Sequence, residues 1–116
     1  MMIDIEEVFV REKPHMVVVY GDVNSCIAAT LVASKLHLDY DIDKIEVVHV
    51  ESGLRSNDRT MPEELNRIVT DDFADHLFVT CEDVYEELKR IGTENIYFTG
   101  NTMIDSLVQL QHKFDE

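Results

Sequence analysis

Three carboxylates and three arginines in this chain have residue types and spacing suited to proton-transfer chemistry. Asp22 and Glu51 each stand just past an apolar run, at 16–20 and 45–50, and Glu63 follows Pro62 a short way further on. A positioned carboxylate can remove a proton, return one, or stabilise a developing positive charge. Arg55, Arg59 and Arg67 fall within thirteen residues of a chain that has five arginines in all. They share the stretch HVESGLRSNDRTMPEELNR, residues 49–67, far more charged than a plain connector needs.

Taken singly, each of these residues has an ordinary explanation. Asp22 could equally be a helix cap or a turn residue. Glu51 is a poor cap and lies in a loop too long for a tight turn. Glu63 and Glu64 sit in a first helical turn, where acids favour the macrodipole by about 0.3–1 kcal/mol. Glu63 and Arg67 are spaced i,i+4, so a surface ion pair between them is expected. Arg67, on this view, holds the loop, and Arg55 orients Glu51 from just beyond the strand. Arg59 is open between a local partner and a ligand anion.

Size and composition bound what these residues can belong to. At 116 residues and 13.4 kDa, with 45% apolar residues, the chain predicts one domain with a real core. A net charge of −14 argues against nucleic acid and anionic membrane surfaces as partners. The N-terminus MMIDIEEVF has no basic region of a secretory signal, and no apolar run approaches the ~18–20 residues of a membrane span. Cys26 and Cys81 lack metal-ligand company, so they are expected as buried small hydrophobes in a reducing cytoplasm, not as a disulfide or metal site, and no cofactor is expected.

The elements that must position the site alternate regularly. A helix is predicted over 3–12, with Ile5, Val8 and Phe9 on one face and Pro14 beyond its end. Apolar strands buried on both faces are expected near 16–21, 45–50, 76–80 and 96–100. Helices follow each of them: from Asn24 or Ser25 to about 37, from Pro62 to Phe73, from a Thr80–Asp83 capping box to Gly92, and over 102–113. This order argues for an α/β fold, a parallel sheet with helices on both faces. Ligands of such sheets bind beyond the carboxyl ends of the strands, where Asp22, Glu51 and the pair Asn101–Thr102 stand. Opening on a helix, without a Gly-rich phosphate loop, the chain reads as the second half of a doubly wound domain.

The run 49–67, preceded by KPHMVVVYGD and followed by TDDFADHLFVT and FTGNTMID, closely resembles the non-hydrolysing UDP-N-acetylglucosamine 2-epimerases over about residues 5–110. The chain departs from the family's usual Gly-Asp-Thr and Glu-Ala-Gly, reading Gly-Asp-Val and Glu-Ser-Gly, and has a longer link before its second strand. The resemblance implies a partial Rossmann-like domain, 1–116, of a GT-B-type enzyme, with a UDP-amino sugar bound between two such domains. It implies inversion at C2 by elimination and re-addition of UDP, with Asp22, Glu51 and Glu63 as catalytic carboxylates. Arg55, Arg59, Arg67, Asn101 and Thr102 would then bind substrate or support the site. The family's N-terminal Gly-rich strand and C-terminal domain have no counterpart here, so a fragment inactive alone is expected, completed by a partner domain or a second copy at an open sheet edge. The alternatives are a stand-alone binding module that keeps the fold without chemistry and, less well matched, a response-regulator receiver. A receiver would open on a strand and carry a Lys after its last one, where this chain has Gly100-Asn101-Thr102.

Overall fold

The computed structural model describes residues 1–114 as ten elements in chain order. These are α1 (Met2–Glu12), β1 (Met16–Tyr20), α2 (Asn24–Asp39), β2 (Glu46–Ser52), α3 (Pro62–Phe73), β3 (His76–Val79), α4 (Glu82–Arg90), β4 (Ile96–Phe98), α5 (Thr102–Gln109) and α6 (Gln111–Phe114). The strands form one parallel sheet in the order β1-β2-β3-β4. The parallel α/β class is thus the one expected.

Several local expectations shift for physical reasons. α1 ends at Lys13, which takes the left-handed conformation and donates its N–H to Phe9 O at 2.8 Å, and Pro14 then bars continuation. Neither Asn24 nor Ser25 caps α2. Val23 holds the N-cap position, and the Asn24 side chain accepts from Asn66 Nδ2 at 3.0 Å instead. Thr80 makes no capping box either, because the N-cap of α4 is Cys81, without a side-chain bond. At that helix start Cys81 is exposed where burial was expected, while Cys26 is buried. The last helix breaks at Leu110 into α5 and α6, which follow one another directly along the chain and bury no residue.

The helices cover the sheet less completely than expected. Strands joined in sequence order by right-handed crossovers carry every crossover helix on the same face. Accordingly α2, α3 and α4 pack along one side, where Val19, Val47, Leu77 and Val79 are buried. Alternate residues point the other way, and Val18 stays 47% and Tyr20 62% exposed. The strands are therefore apolar on both faces but enclosed on one. The main core lies between β1, β2 and α2, where Val19, Cys26, Val32, Ala33, Leu36, Ile45 and Val47 pack with Ile5 and Phe9 of α1.

Asp75 fixes where β3 begins. Its carboxylate accepts from Val47 N–H at 2.8 Å and from Lys44 Nζ at 2.8 Å. Burial pushes its pKa up, but the Lys44 and Val47 bonds outweigh that and hold it below the usual aspartate range.

Gly53 sets the closest approach between the end of β2 and α4. Its φ is +83°, and a Cβ there would lie 2.4 Å from Val84 Cγ1 and 3.4 Å from Leu88 Cδ1. Gly53→Ala therefore combines strain with overpacking, an expected loss of about 2–4 kcal/mol in denaturant unfolding. Gly92 shares a positive φ of +87° but has open space around it, so Gly92→Ala is expected to cost only about 1 kcal/mol in the same measurement.

Candidate functional site

β1 and β2 deliver Asp22 and Glu51 to one rim. Their parallel register pairs Tyr20 with Val50, and Gly21 N–H extends the ladder to Val50 O at 3.0 Å. Immediately beyond, the register between β2 and β3 shifts across Val50/Ser52, and Glu51 adopts φ 64°. A left-handed conformation costs a non-glycine residue roughly 1–2 kcal/mol, and a bulge of this kind re-aims a side chain. Here it turns the Glu51 carboxylate back over β1, so that Oε2 lies 3.6 Å from where a Gly21 Cβ would stand. Gly21, itself at φ +76°, leaves that space open.

Asp22 is held from α3. Arg67 donates to its Oδ2 from Nε at 3.0 Å and from Nη2 at 2.6 Å, while Asn66 Nδ2 donates to its backbone carbonyl at 2.9 Å. Arg67 Nη1 also approaches Glu64 Oε1 at 3.5 Å. The expected Glu63–Arg67 pair is thus replaced, because the guanidinium reaches across to the β1 end instead of lying along the outer surface of α3. Glu63 is exposed in the first turn of α3, with no side-chain hydrogen bond or ion pair found among the described residues.

Its neighbour Glu64 is buried and organises the loop. Glu64 accepts from Ser56 N–H at 3.0 Å and Asn57 N–H at 2.7 Å, folding 53–60 back onto α3. The Ser56 N–H, helped by Asn57 N–H, Arg67 and the charge of Arg55, holds its carboxyl below the usual glutamate range against the opposing effect of burial. Arg55 donates from Nη1 to Asp71 Oδ2 at 2.8 Å and to Leu54 O at 2.6 Å. It therefore orients Asp71, not Glu51 directly. Arg59 is exposed beside Arg55, Asn57 and Glu64 in a shallow depression, and no partner is found for it among the described residues.

Asn101 and Thr102 stand past β4, two strands across from β2. Asn101 caps α5, its Oδ1 accepting from Met103 N–H at 2.9 Å, and the Thr102 carbonyl accepts from Ser106 Oγ at 3.2 Å. Both do local helix work. Among the described residues no group of three His, Cys, Asp or Glu side chains could hold a metal ion.

Two residues of the site, His49 and Asn66, carry no expectation from the sequence, whereas Glu64 and Asp71 stand there as acids for local pairing with the arginines, and Arg67 and Arg55 do pair with them. His49 is fully buried in β2, its Nδ1 2.5 Å from Asp71 Oδ1 and its Nε2 2.7 Å from Gly21 O. A histidine flanked by valines inside β2 was the available signal for it. Chemically, the rim offers two carboxylates on neighbouring strand ends, one held by an arginine and the other set by a strained backbone.

Two outcomes follow for the loop and its anchors. Arg67→Ala removes the charge-assisted partner of both Asp22 and Glu64, and a loss of about 1–2 kcal/mol is expected in thermal or denaturant unfolding. Glu64→Gln is expected to lower the thermal midpoint at neutral pH. The depressed folded pKa of Glu64 means its stabilisation is full above the ordinary glutamate range and is lost as pH falls through the depressed folded value. The midpoints of the two proteins, followed with pH, are therefore expected to converge on acidification.

Comparison with known proteins places this geometry. A sequence profile described as UDP-N-acetylglucosamine 2-epimerase matches residues 1–116. The UDP-N-acetylglucosamine 2-epimerase of Methanocaldococcus jannaschii is 49% identical over 111 residues, which are 94% of this chain and 28% of that protein. The UDP-2,3-diacetamido-2,3-dideoxy-D-glucuronate 2-epimerase of Pseudomonas aeruginosa is 44% identical over 110 residues, 91% of this chain and 29% of that one. A crystal structure of the M. jannaschii UDP-GlcNAc 2-epimerase in complex with UDP-GlcNAc and UDP superposes with a TM-score of 0.81 at 47% identity, over 93% of this chain and 28% of that one. This chain thus spans 28–29% of the length of these relatives. With the profile covering every residue and the parallel fold shared, the chain belongs to the UDP-N-acetylglucosamine 2-epimerase family.

Proposed function

We propose that this chain forms one wall of an isomerase site that inverts C2 of a UDP-linked N-acetylamino sugar, interconverting UDP-GlcNAc and UDP-ManNAc. The observation that carries this reading is the pair Asp22 and Glu51 on adjacent strand ends, with Glu51 Oε2 folded over Gly21. The C2 proton is not acidic, so a positioned base must take it as the C1–O bond to UDP breaks. Oxocarbenium character grows at C1 meanwhile, and carboxylates suit both the base and the stabiliser. Re-addition of UDP to the glycal with a proton delivered to the other face completes the inversion. Two faces need more than one group, which Asp22 and Glu51 supply together, with Glu63 as the third acid from the start of α3.

The chain is read as part of one Rossmann-like domain, with the opposite wall of the nucleotide-sugar cleft contributed by fold that the relatives have and this chain does not span. Removing binding, orientation and exclusion of water at once leaves too little for turnover. A second reading, a binding module that keeps the fold without catalysis, is favoured by the open sheet face bearing Val18 and Tyr20.

Assayed alone with UDP-GlcNAc, the chain is expected to give no detectable UDP-ManNAc. Substituted for the matching segment of the M. jannaschii relative, it is expected to yield a chimera that produces UDP-ManNAc. In that chimera Asp22→Asn and Glu51→Gln are each expected to lower kcat by about 10²–10⁴-fold. A folded chimera that binds UDP-GlcNAc without inverting C2 supports the binding module, and robust turnover by the chain alone overturns the one-wall reading.

A further inference from the structure

We infer that His49 and Asp71 are positioning residues for the Asp22–Glu51 rim, with the His49 ring donating from both of its nitrogens. The hydrogen bonding stands by itself, and only its consequence for turnover rests on the proposed function. His49 Nε2 lies 2.7 Å from the Gly21 carbonyl, and Nδ1 lies 2.5 Å from Asp71 Oδ1. A carbonyl oxygen can only accept. The Asp71 carboxylate, whose side chain is 7% exposed, already accepts from Gly53 N–H at 3.0 Å and from Arg55 Nη1 at 2.8 Å. With two donors on Oδ2, one of them cationic, the carboxylate presents Oδ1 as an acceptor too. A ring with one proton would satisfy one contact and set a lone pair against an oxygen in the other. Both contacts are hydrogen bonds only when the ring carries a proton on each nitrogen.

The result is a buried imidazolium–carboxylate pair that links three elements. It runs from the Gly21 carbonyl at the end of β1, through His49 in β2 and Asp71 in α3, to Gly53 N–H and Arg55 past the bulge. Gly21 adjoins Asp22, and the segment from His49 to Gly53 brackets Glu51. The charged groups nearest the pair are Arg55 on Asp71, the Asp22–Arg67 ion pair beyond Gly21, and Glu51 over Gly21. The clamp at each end fixes the backbone that carries the two carboxylates. Small displacements of reacting groups cost large factors in rate, so this is a place where position is worth holding.

The test is nitrogen-15 NMR of histidine side chains in the full chain at neutral pH. Expected are two His49 ring protons, Hδ1 and Hε2, both slow to exchange with solvent, and two ring nitrogens with protonated-type shifts. In Asp71→Asn the ring is expected to lose one of these protons. Amide exchange at Gly21 and Gly53 is expected to rise at least tenfold, while Leu77, bonded to Asn95 O in the β3–β4 ladder, is unchanged. In the chimera, Asp71→Asn is expected to lower kcat about tenfold with KM unchanged. A single ring proton on wild-type His49 overturns the inference, and needs no variant to fold. Equal acceleration at Gly21, Gly53 and Leu77 also overturns it, since that is what general loss of packing gives. Because the NMR readouts need no substrate, they can fail while the carboxylate assignment survives, and the reverse.

Discussion

Parallel pairing of β1 with β2 is the constraint on which the site depends. In a parallel pair both strands run out at the same edge, so the residues that follow each of them leave the sheet together. The register from Met16↔Glu46 to Tyr20↔Val50 sets Gly21 to donate its N–H to Val50 O, and Asp22 and Glu51 follow at neighbouring strand ends. A slip of one residue would send the whole apolar set of one strand to the wrong face. Val19 and Val47, both buried against the helices, make that slip costly, and core packing thereby fixes the spacing of the carboxylates.

Much of what surrounds those carboxylates is polar scaffolding at low exposure. Glu64 and Asp71 are acids with several donors each, and their work is to hold backbone N–H groups of 53–57. An ionised acid out of water is tolerable only when its lone pairs are occupied. That requirement accounts for two of the three arginines: Arg67 serves Asp22 and Glu64, and Arg55 serves Asp71. On a chain of net charge −14, these cations are concentrated where acids crowd. Among the described residues, Arg59 alone of the three has no acid paired with it.

The sheet's second face has the opposite character. Consecutive strand order places α2, α3 and α4 on one side, and the other carries Met16, Val18, Tyr20 and Tyr97 in contact with solvent. α5 likewise shows Met103, Ile104 and Leu107. These surfaces are apolar on a chain that spans 28–29% of the relatives it matches, whose folds extend well past the matched part.

What the sequence by itself determined follows from properties local to a few residues. Apolar runs separated by helical stripes imply a parallel α/β layer, and Pro14, Pro62 and Gly92 mark boundaries because their backbone preferences are intrinsic. The position of Asp22 just past β1 was legible for the same reason, whereas Glu51 falls inside β2, at its bulge, and not in the loop beyond it. Only the tertiary structure decided who holds whom. Arg67 lies one helical turn from Glu63, yet it bonds Asp22, forty-five residues away in the chain. Glu63 and Glu64 are adjacent and alike in type, and the pitch of α3 exposes one and buries the other. His49 reads as a polar residue among the valines of β2 until Gly21 and Asp71 are brought against its two nitrogens. Propensity acts over a few residues, whereas these bonds depend on strand register and on which way a helix face turns, and both are set by packing of the whole chain.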